Sequence, residues 1–366
     1  MEPEAVLAFR FGRSGLAGRH ASTLAAAAAA PAVDSARGSA LQSLAARAEG
    51  VTRDAYDAAV DAGEVVVGYA MRGAIHAVAP DDHALWGRAL VARRDDELAV
   101  QLGTRMRRLC DETGIAPTDA LSEVTDATRD ALAGGRALDK DALHAELRAR
   151  VRDDLLPWCE GCGSHHVSPL LWRFATVAAG ARLDAGRRYL LGSPGRAPAA
   201  AEALRRHLHL YGPGTPAAFA AWAGLAPAHA RRLWDEVAAD GALAEVTTTG
   251  GGSAWILAAD GGALASPPTA RGVRLLPPGD PYLQSPNRDL LAPAKDLRAR
   301  LFRPTGSPGA VVQDGRLAGL WRATTTGRST RLAVEPLRRL RTGDLREEAE
   351  RVAALRGTPE LRLDIA

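Results

Sequence analysis

The chain has 366 residues, 46% hydrophobic and 24% charged, with a net charge of +3. It is long enough to bury sizeable cores and long for one compact domain, so roughly two to four modules are expected, and nothing in its composition marks a disordered, fibrous or membrane-spanning protein. The small net charge does not by itself announce a polyanionic partner, but Lys140 and Lys295 are the only lysines, so nearly all positive charge sits on Arg, whose flat fork suits phosphates and guanine edges.

A GC-rich coding bias would enrich Arg in the same way. The three cysteines, Cys110, Cys159 and Cys162, do not make a disulfide framework in a chain this long. The opening MEPEAVLAFRFGR lacks a long apolar segment, and the run Ala25 to Ala30 is too short to span a bilayer. No membrane association, a cytoplasmic location and a monomer are expected.

Along the chain, helices followed by a two-stranded hairpin recur three times, as a repetition of architecture and not of sequence. In the first copy the spacing predicts helices at Leu16 to Ala30, Ser39 to Ala48 and Arg53 to Ala62, the last capped by Thr52. EVVVGYA, the turn MRG and AIHAVA then read as a strand pair, and Asp81 as the cap of a following helix. Arg72 and His76 lie two strand periods apart, so both can face one way; the plainer reading is a turn-capping Arg and a hydrogen-bonded His. The second copy is looser. Helical patterns cover Ala120 to Ala133, Asp141 to Val151 and Pro169 to Ala179, and ARLDAGRRYLLG reads as a hairpin. Within this copy, Cys159, Cys162, His165 and His166 are metal-like residues close together. Four ligands within eight residues crowd the backbone and no second Cys pair exists, so the expected cofactor and metal content is none, with these four as weak candidates. The segment Ser193 to Ala199 reads as a linker.

The third copy is the clearest. A helix over Ala201 to Leu210 ends at Gly-Pro-Gly. Thr215 and Pro216 are an N-cap and first helical position, and Pro227 opens a third helix with Ala230, Leu233, Trp234 and Val237 inward. ALAEVTTT and SAWILAAD flank a glycine-rich tip, Gly250 to Gly252. This order is that of a winged helix-turn-helix, and Arg231 and Arg232 sit where a recognition helix presents side chains to a major groove. Such helices also pack domains together. From Arg271 short apolar runs alternate with turn residues, and Asp314-Gly315 is a strong hairpin signal; a helix over Asp344 to Arg356 and a strand LRLDIA end the chain. The expected fold class is therefore α+β: three tandem winged helix-turn-helix modules at 1–92, 93–197 and 198–265, then a small β-barrel-like module at 266–366.

Several segments in this order resemble the AlkZ/YcaQ-like DNA glycosylase family: FRFGRSGLAGR, GSALQSLAARAEGVTRDAYDAAV, GYAMRGAIHAVAPDDHALW, HLHLYGPGTPAAFAAWAGL, RLLPPGDPYL and VQDGRLAGLWRATTTGR. The resemblance implies tandem winged helices and a β-barrel curved around double-stranded DNA. It also implies hydrolysis of the N-glycosidic bond of a bulky alkylated or cross-linked purine, without the full extrusion of the usual base-flipping scheme. Arg72 and His76 then become candidates to touch a phosphate or the reacting sugar. Arg37, Arg231, Arg232 and Arg322 complete the expected DNA-contacting set.

The chain departs from the family where the chemistry should lie. A Gln-x-Gln motif that positions water is expected shortly before the GSA helix; here Val33 and Ser35 occupy the two Gln positions around Asp34, and no gapless shift restores two glutamines. Valine cannot hydrogen-bond water, and losing one such group costs a few kcal/mol, roughly, in the transition state. Asp34 and Ser35 remain polar, and with His76 they are the candidate catalytic residues. A carboxylate at Asp34 serves as general base or stabilises an oxocarbenium-like sugar, or is a helix-capping residue. A catalytically silent DNA binder is the competing reading.

Overall fold

The computed structural model describes residues 1–192, 198–249 and 251–366; Ser193 to Ala197, within the expected linker, and Gly250 in the expected tip lie outside the described residues. The architecture is α+β. Where a cap and an apolar stripe coincide, the expected helices form at the expected places. Thr52 Oγ1 accepts from Ala55 N (3.2 Å) at the start of Arg53–Ala62, and Thr215 Oγ1 from Ala218 N (3.2 Å) at the start of Pro216–Ala223. The hairpin strands Val66–Tyr69 and Ile75–Val78 pair antiparallel, as do Ala181–Leu183 with Tyr189–Leu191 and Leu243–Thr247 with Ser253–Leu257.

Three expectations are corrected. The helix over Leu16 to Ala30 does not form: Pro3–Arg13 is helical instead, Gly15 turns the chain at φ +74°, and Thr23 caps only the short helix Leu24–Ala27. A long helix, Asp95–Thr113, had no counterpart among the predicted elements; Gly103 interrupts it at φ +79° and breaks its periodicity. The C-terminal module is not a barrel. Its strands Val273–Leu276, Gly309–Gln313, Arg316–Thr326, Ser329–Pro336 and Glu360–Ile365 form a sheet in linear order, antiparallel except for the last pair, and no pairing among the described residues closes it. The physical reason is the helix Thr342–Leu355. Its Leu345, Ala349 and Val352 pack on Val273, Leu275, Val311 and Leu332, so the sheet covers its apolar face with a helix rather than curling on itself.

The expected hairpin at Asp314-Gly315 is present, with both residues at positive φ (51° and 73°), the geometry that a two-residue primed turn requires.

The hairpins of the first two helix–hairpin units share one five-stranded sheet, in the order Ala32–Val33, Ile75–Val78, Val66–Tyr69, Ala181–Leu183, Tyr189–Leu191. One core runs from Leu41 and Leu44 through Val67 to Val124, Leu143 and Trp172 beneath it. A second core joins Val78, Leu85 and Trp86 to Leu208, Phe219, Trp222 and Trp234 of the third unit. Phe11 and Leu16, near the N-terminus, pack with Leu276, Tyr282 and Leu317 of the C-terminal module. Buried arginines lock these layers. Arg47 makes a bidentate pair with Asp280 (2.8 and 3.0 Å), and Arg10 donates to Gly212 O, Pro213 O, Pro286 O and Asn287 Oδ1. Among the described residues no helix is long and apolar enough to cross a membrane.

Candidate functional site

The loop that departs from the expected motif lies where the first sheet meets the C-terminal module. Val33 pairs in register with His76, its N–H donates to Gly279 O (3.3 Å), and Asp34 N–H donates to Ile75 O (2.8 Å). Gly279 has φ +89°, and a Cβ there would stand 2.9 Å from Val33 Cβ, so only glycine permits this approach.

Asp34 is 2% exposed and its oxygens are committed. Oδ1 accepts from Gly38 N (3.1 Å) and Ala40 N (2.9 Å) at the start of the helix Ser39–Ala45; Oδ2 accepts from the Arg187 guanidinium (2.5 Å). Burial raises the Asp34 pKa above the ordinary carboxylate value, while the Arg187 charge and the two amides oppose that rise. Arg187 reaches inward from a residue at φ +69° in the hairpin that closes the sheet. Beside them the Tyr56 hydroxyl is buried without a hydrogen-bond partner, and burial and the Asp34 charge push its pKa up. Asp34, Tyr56, Asp184 and Arg187 border a cavity of about 20 Å³, room for one water.

Ser35 is exposed on the outer side of the loop. His76 is 1% exposed; its Nδ1–H donates to Ala74 O (2.9 Å), and burial, with the Arg72 charge adding to it, lowers its pKa to about 3. It is a neutral imidazole at physiological pH. Arg72, at φ 59° in the turn, does not point into open solvent: it donates to Trp222 O and to Gln284 Oε1 (3.3 Å), while Gln284 Nε2 donates to Gly279 O (3.0 Å). Arg72 thereby ties the first hairpin to the third helical unit and to the segment that supports Val33. Asp34, His76 and Arg72 are thus neighbours, as the sequence suggests, but within a packed junction.

The other expected contacts separate into two kinds. Arg232 is engaged by Glu97 in a bidentate ion pair, with His229 nearby (3.8 Å from Glu97), which fastens helix Pro227–Ala239 onto helix Asp95–Thr113. Arg231, its neighbour, is exposed. Arg322 is exposed on the C-terminal sheet and donates to Gly306 O (2.9 Å). Arg37 donates to Ala185 O (2.7 Å) and lines a cleft of about 230 Å³ with Arg53 and Arg356, which approach from helix Arg53–Ala62 and from the end of helix Thr342–Leu355. None of these three guanidiniums pairs with a carboxylate among the described residues. Burial and then the charge of Arg53 lower the Arg356 pKa. Cys159, Cys162 and His166 bring their donor atoms within 4.8 Å of one another, whereas His165 turns away to Leu156 O (2.7 Å).

Sequence reasoning missed Tyr56, Arg53, Arg187, Gln284 and Arg356. Tyr56 carried a signal in the helical stripe it shares with Ala59 and Val60, and Arg53 opens the same helix; Arg187, Gln284 and Arg356 reach the site from segments far along the chain and carried none.

The chain matches no curated protein. A solved structure, Streptomyces sahachiroi DNA glycosylase AlkZ, superposes with a TM-score of 0.77 at 22% identity, covering 99% of this chain and 99% of that one, which establishes a shared fold. The family model described as DNA glycosylase AlkZ-like matches residues 25–355, nearly the whole length. The chain belongs to the AlkZ-like DNA glycosylase family.

Proposed function

We propose that the protein is a monomeric, cytoplasmic binder of duplex DNA that recognises bulky alkylated or cross-linked purines. The Arg37–Arg53–Arg356 cleft carries this reading. It opens beside the Val33–Ser35 loop and holds three guanidiniums with no carboxylate partner among the described residues. A phosphate there would relieve their mutual repulsion and accept several charge-assisted hydrogen bonds. In the same reading the helix–hairpin units are three tandem winged helix-turn-helix modules, 1–92, 93–197 and 198–265, followed by the β-rich module 266–366. Arg231 and Arg322, both exposed, serve as further backbone contacts.

Excision by hydrolysis of the N-glycosidic bond is the second reading, and it would rest on Asp34. A water in the adjacent cavity would lose its proton to the carboxylate and attack the sugar carbon, and the purine would leave with the bonding electrons. The full commitment of both Asp34 oxygens to Gly38, Ala40 and Arg187 favours binding without base release.

Fluorescence anisotropy and product analysis on duplexes carrying N7- or N3-alkylpurines test both readings. The expected result is salt-dependent binding, with no free purine. The slope of log K against log salt should become shallower by about one in Arg53→Ala and in Arg356→Ala. Unchanged slopes in both variants would refute the cleft. Release of free purine that disappears in Asp34→Asn would establish excision in place of silent binding.

A further inference from the structure

The Cys159–His166 segment takes no part in the DNA reading, yet it is built with more order than a loop needs. Trp158–Cys159 and Ser164–His165 pair as a two-residue hairpin. Between them the chain folds into a tight knuckle: Cys162 N–H donates to Cys159 O (3.2 Å), Gly163 N–H to Glu160 O (3.3 Å), and Gly163 takes φ +59°. The knuckle turns both thiols to one side, where His166 meets them. The His166 ring is pre-set as a ligand. Its Nδ1–H donates to Val167 O (2.8 Å), which leaves the lone pair on Nε2, and Nε2 is buried without a hydrogen-bond partner. A backbone carbonyl on the far nitrogen is the usual outer support of a metal-bound imidazole.

A further donor lines the same cavity, just outside the cluster of the other three. His144, on helix Lys140–Arg148, lines one cavity of about 450 Å³ with Cys159, Cys162 and His166. Its ring centre lies 5.6 Å from that of His166, and its Nδ1 is buried and unpaired. The sequence alone counted four ligands within eight residues and found them crowded. The structure removes His165, which bonds Leu156 O and packs edge-on against Trp158, and offers His144 from a separate helix in its place.

We propose that Cys159 Sγ, Cys162 Sγ and His166 Nε2 bind a zinc ion, with His144 as the fourth ligand. Two thiolates and two imidazoles are the donor set of a closed, tetrahedral, structural zinc site, and two thiolates neutralise the ion. The metal would fasten the knuckle to helix Lys140–Arg148, adding to the core packing of Leu155, Leu156 and Val167 that flanks it. Its role is independent of the DNA cleft.

The test uses the full-length protein, purified without chelator in a thiol-free reductant. Elemental analysis should find stoichiometric zinc. Cobalt(II) substitution should give tetrahedral ligand-field bands with thiolate-to-cobalt charge-transfer absorption. Zinc should shield Cys159 and Cys162 from a thiol reagent until a chelator is added, a readout that needs no variant. Cys162→Ser and His166→Ala should lose the bound metal, His165→Ala should keep it, and His144→Ala should weaken binding by at least about tenfold. Absence of zinc and of charge-transfer absorption, or absorption that survives in Cys162→Ser, would overturn the site. Undiminished affinity in His144→Ala would overturn its place as the fourth ligand.

Discussion

Replacing Arg187 with alanine strands the buried carboxylate of the Val33–Ser35 loop. Asp34 is 2% exposed and its Oδ2 has the Arg187 guanidinium at 2.5 Å. Removing one partner of a buried pair costs about 3–5 kcal/mol, because the other charge stays buried. Arg187 itself is 23% exposed, so water enters in its place, and the amides of Gly38 and Ala40 remain; about 2–3 kcal/mol is the expected loss near neutral pH. The loss has a sign in pH. The folded-state pKa of Asp34 is already raised and rises further without Arg187, so the native state then holds a proton that the unfolded chain gives up. Stability therefore falls as pH rises through that window, and the deficit narrows on acidification. Asparagine at position 34 keeps an Oδ1 acceptor for the two amides and carries no charge, so Asp34→Asn added to Arg187→Ala should recover more than about half of the loss. Urea unfolding of the wild type, the single variant and the double variant at acidic and neutral pH measures all of this. A cost under about 0.5 kcal/mol, a deficit that ignores pH, or a double variant no better than Arg187→Ala would refute the assignment of Asp34 as a buried, paired carboxylate.

Burial lowers His76 and His207 to about 3 and His83 to about 4. The stability their neutral forms contribute is present above their ordinary pKa and lost as pH falls toward the folded value, so the thermal midpoint should drop below about pH 6.5, less steeply in His207→Asn; a flat acid limb contradicts this. Gly279→Ala forces a Cβ against Val33 at a positive φ, and a loss of at least about 1 kcal/mol in urea unfolding is expected; wild-type stability would mean the Val33 strand yields freely. Arg232→Ala should leave the salt slope of DNA binding untouched, because its guanidinium is held by Glu97, and should lower stability by about 1 kcal/mol; a shallower slope would return Arg232 to the DNA-contacting set.

Local signals were legible where one short stretch contained the whole cause. Thr52 and Thr215 cap the helices they were expected to cap, and Asp314-Gly315 turns its hairpin. The resemblance to the glycosylase family, spread over six segments, agrees with the family model across the chain. The helix Asp95–Thr113 was missed because Gly103 disrupts the spacing by which a helix is recognised. The barrel was expected because short strands look alike whether a sheet closes or meets a helix; only the packing of Leu345, Ala349 and Val352 decides that. The site was half legible. Asp34, His76 and Arg72 are neighbours as expected, but the groups that define their chemistry, Arg187 and Gln284, lie 153 and 212 residues from their partners, beyond any local pattern.

The Arg47–Asp280 pair joins positions 233 residues apart, and both side chains are at most 3% exposed. A nascent or truncated chain that ends before Gly279 leaves the Arg47 guanidinium with only the carbonyls of Ser14 and Ser43 and no countercharge, and the glycine that supports Val33 is missing with it. During translation the N-terminal elements therefore cannot reach their final arrangement until most of the polypeptide has emerged from the ribosome. Fragments confined to the helical units should be recovered as poorly packed species, and the loop at Asp34, held earlier by Gly38, Ala40, Ile75 and Arg187, should gain the support of Gly279 only late in synthesis.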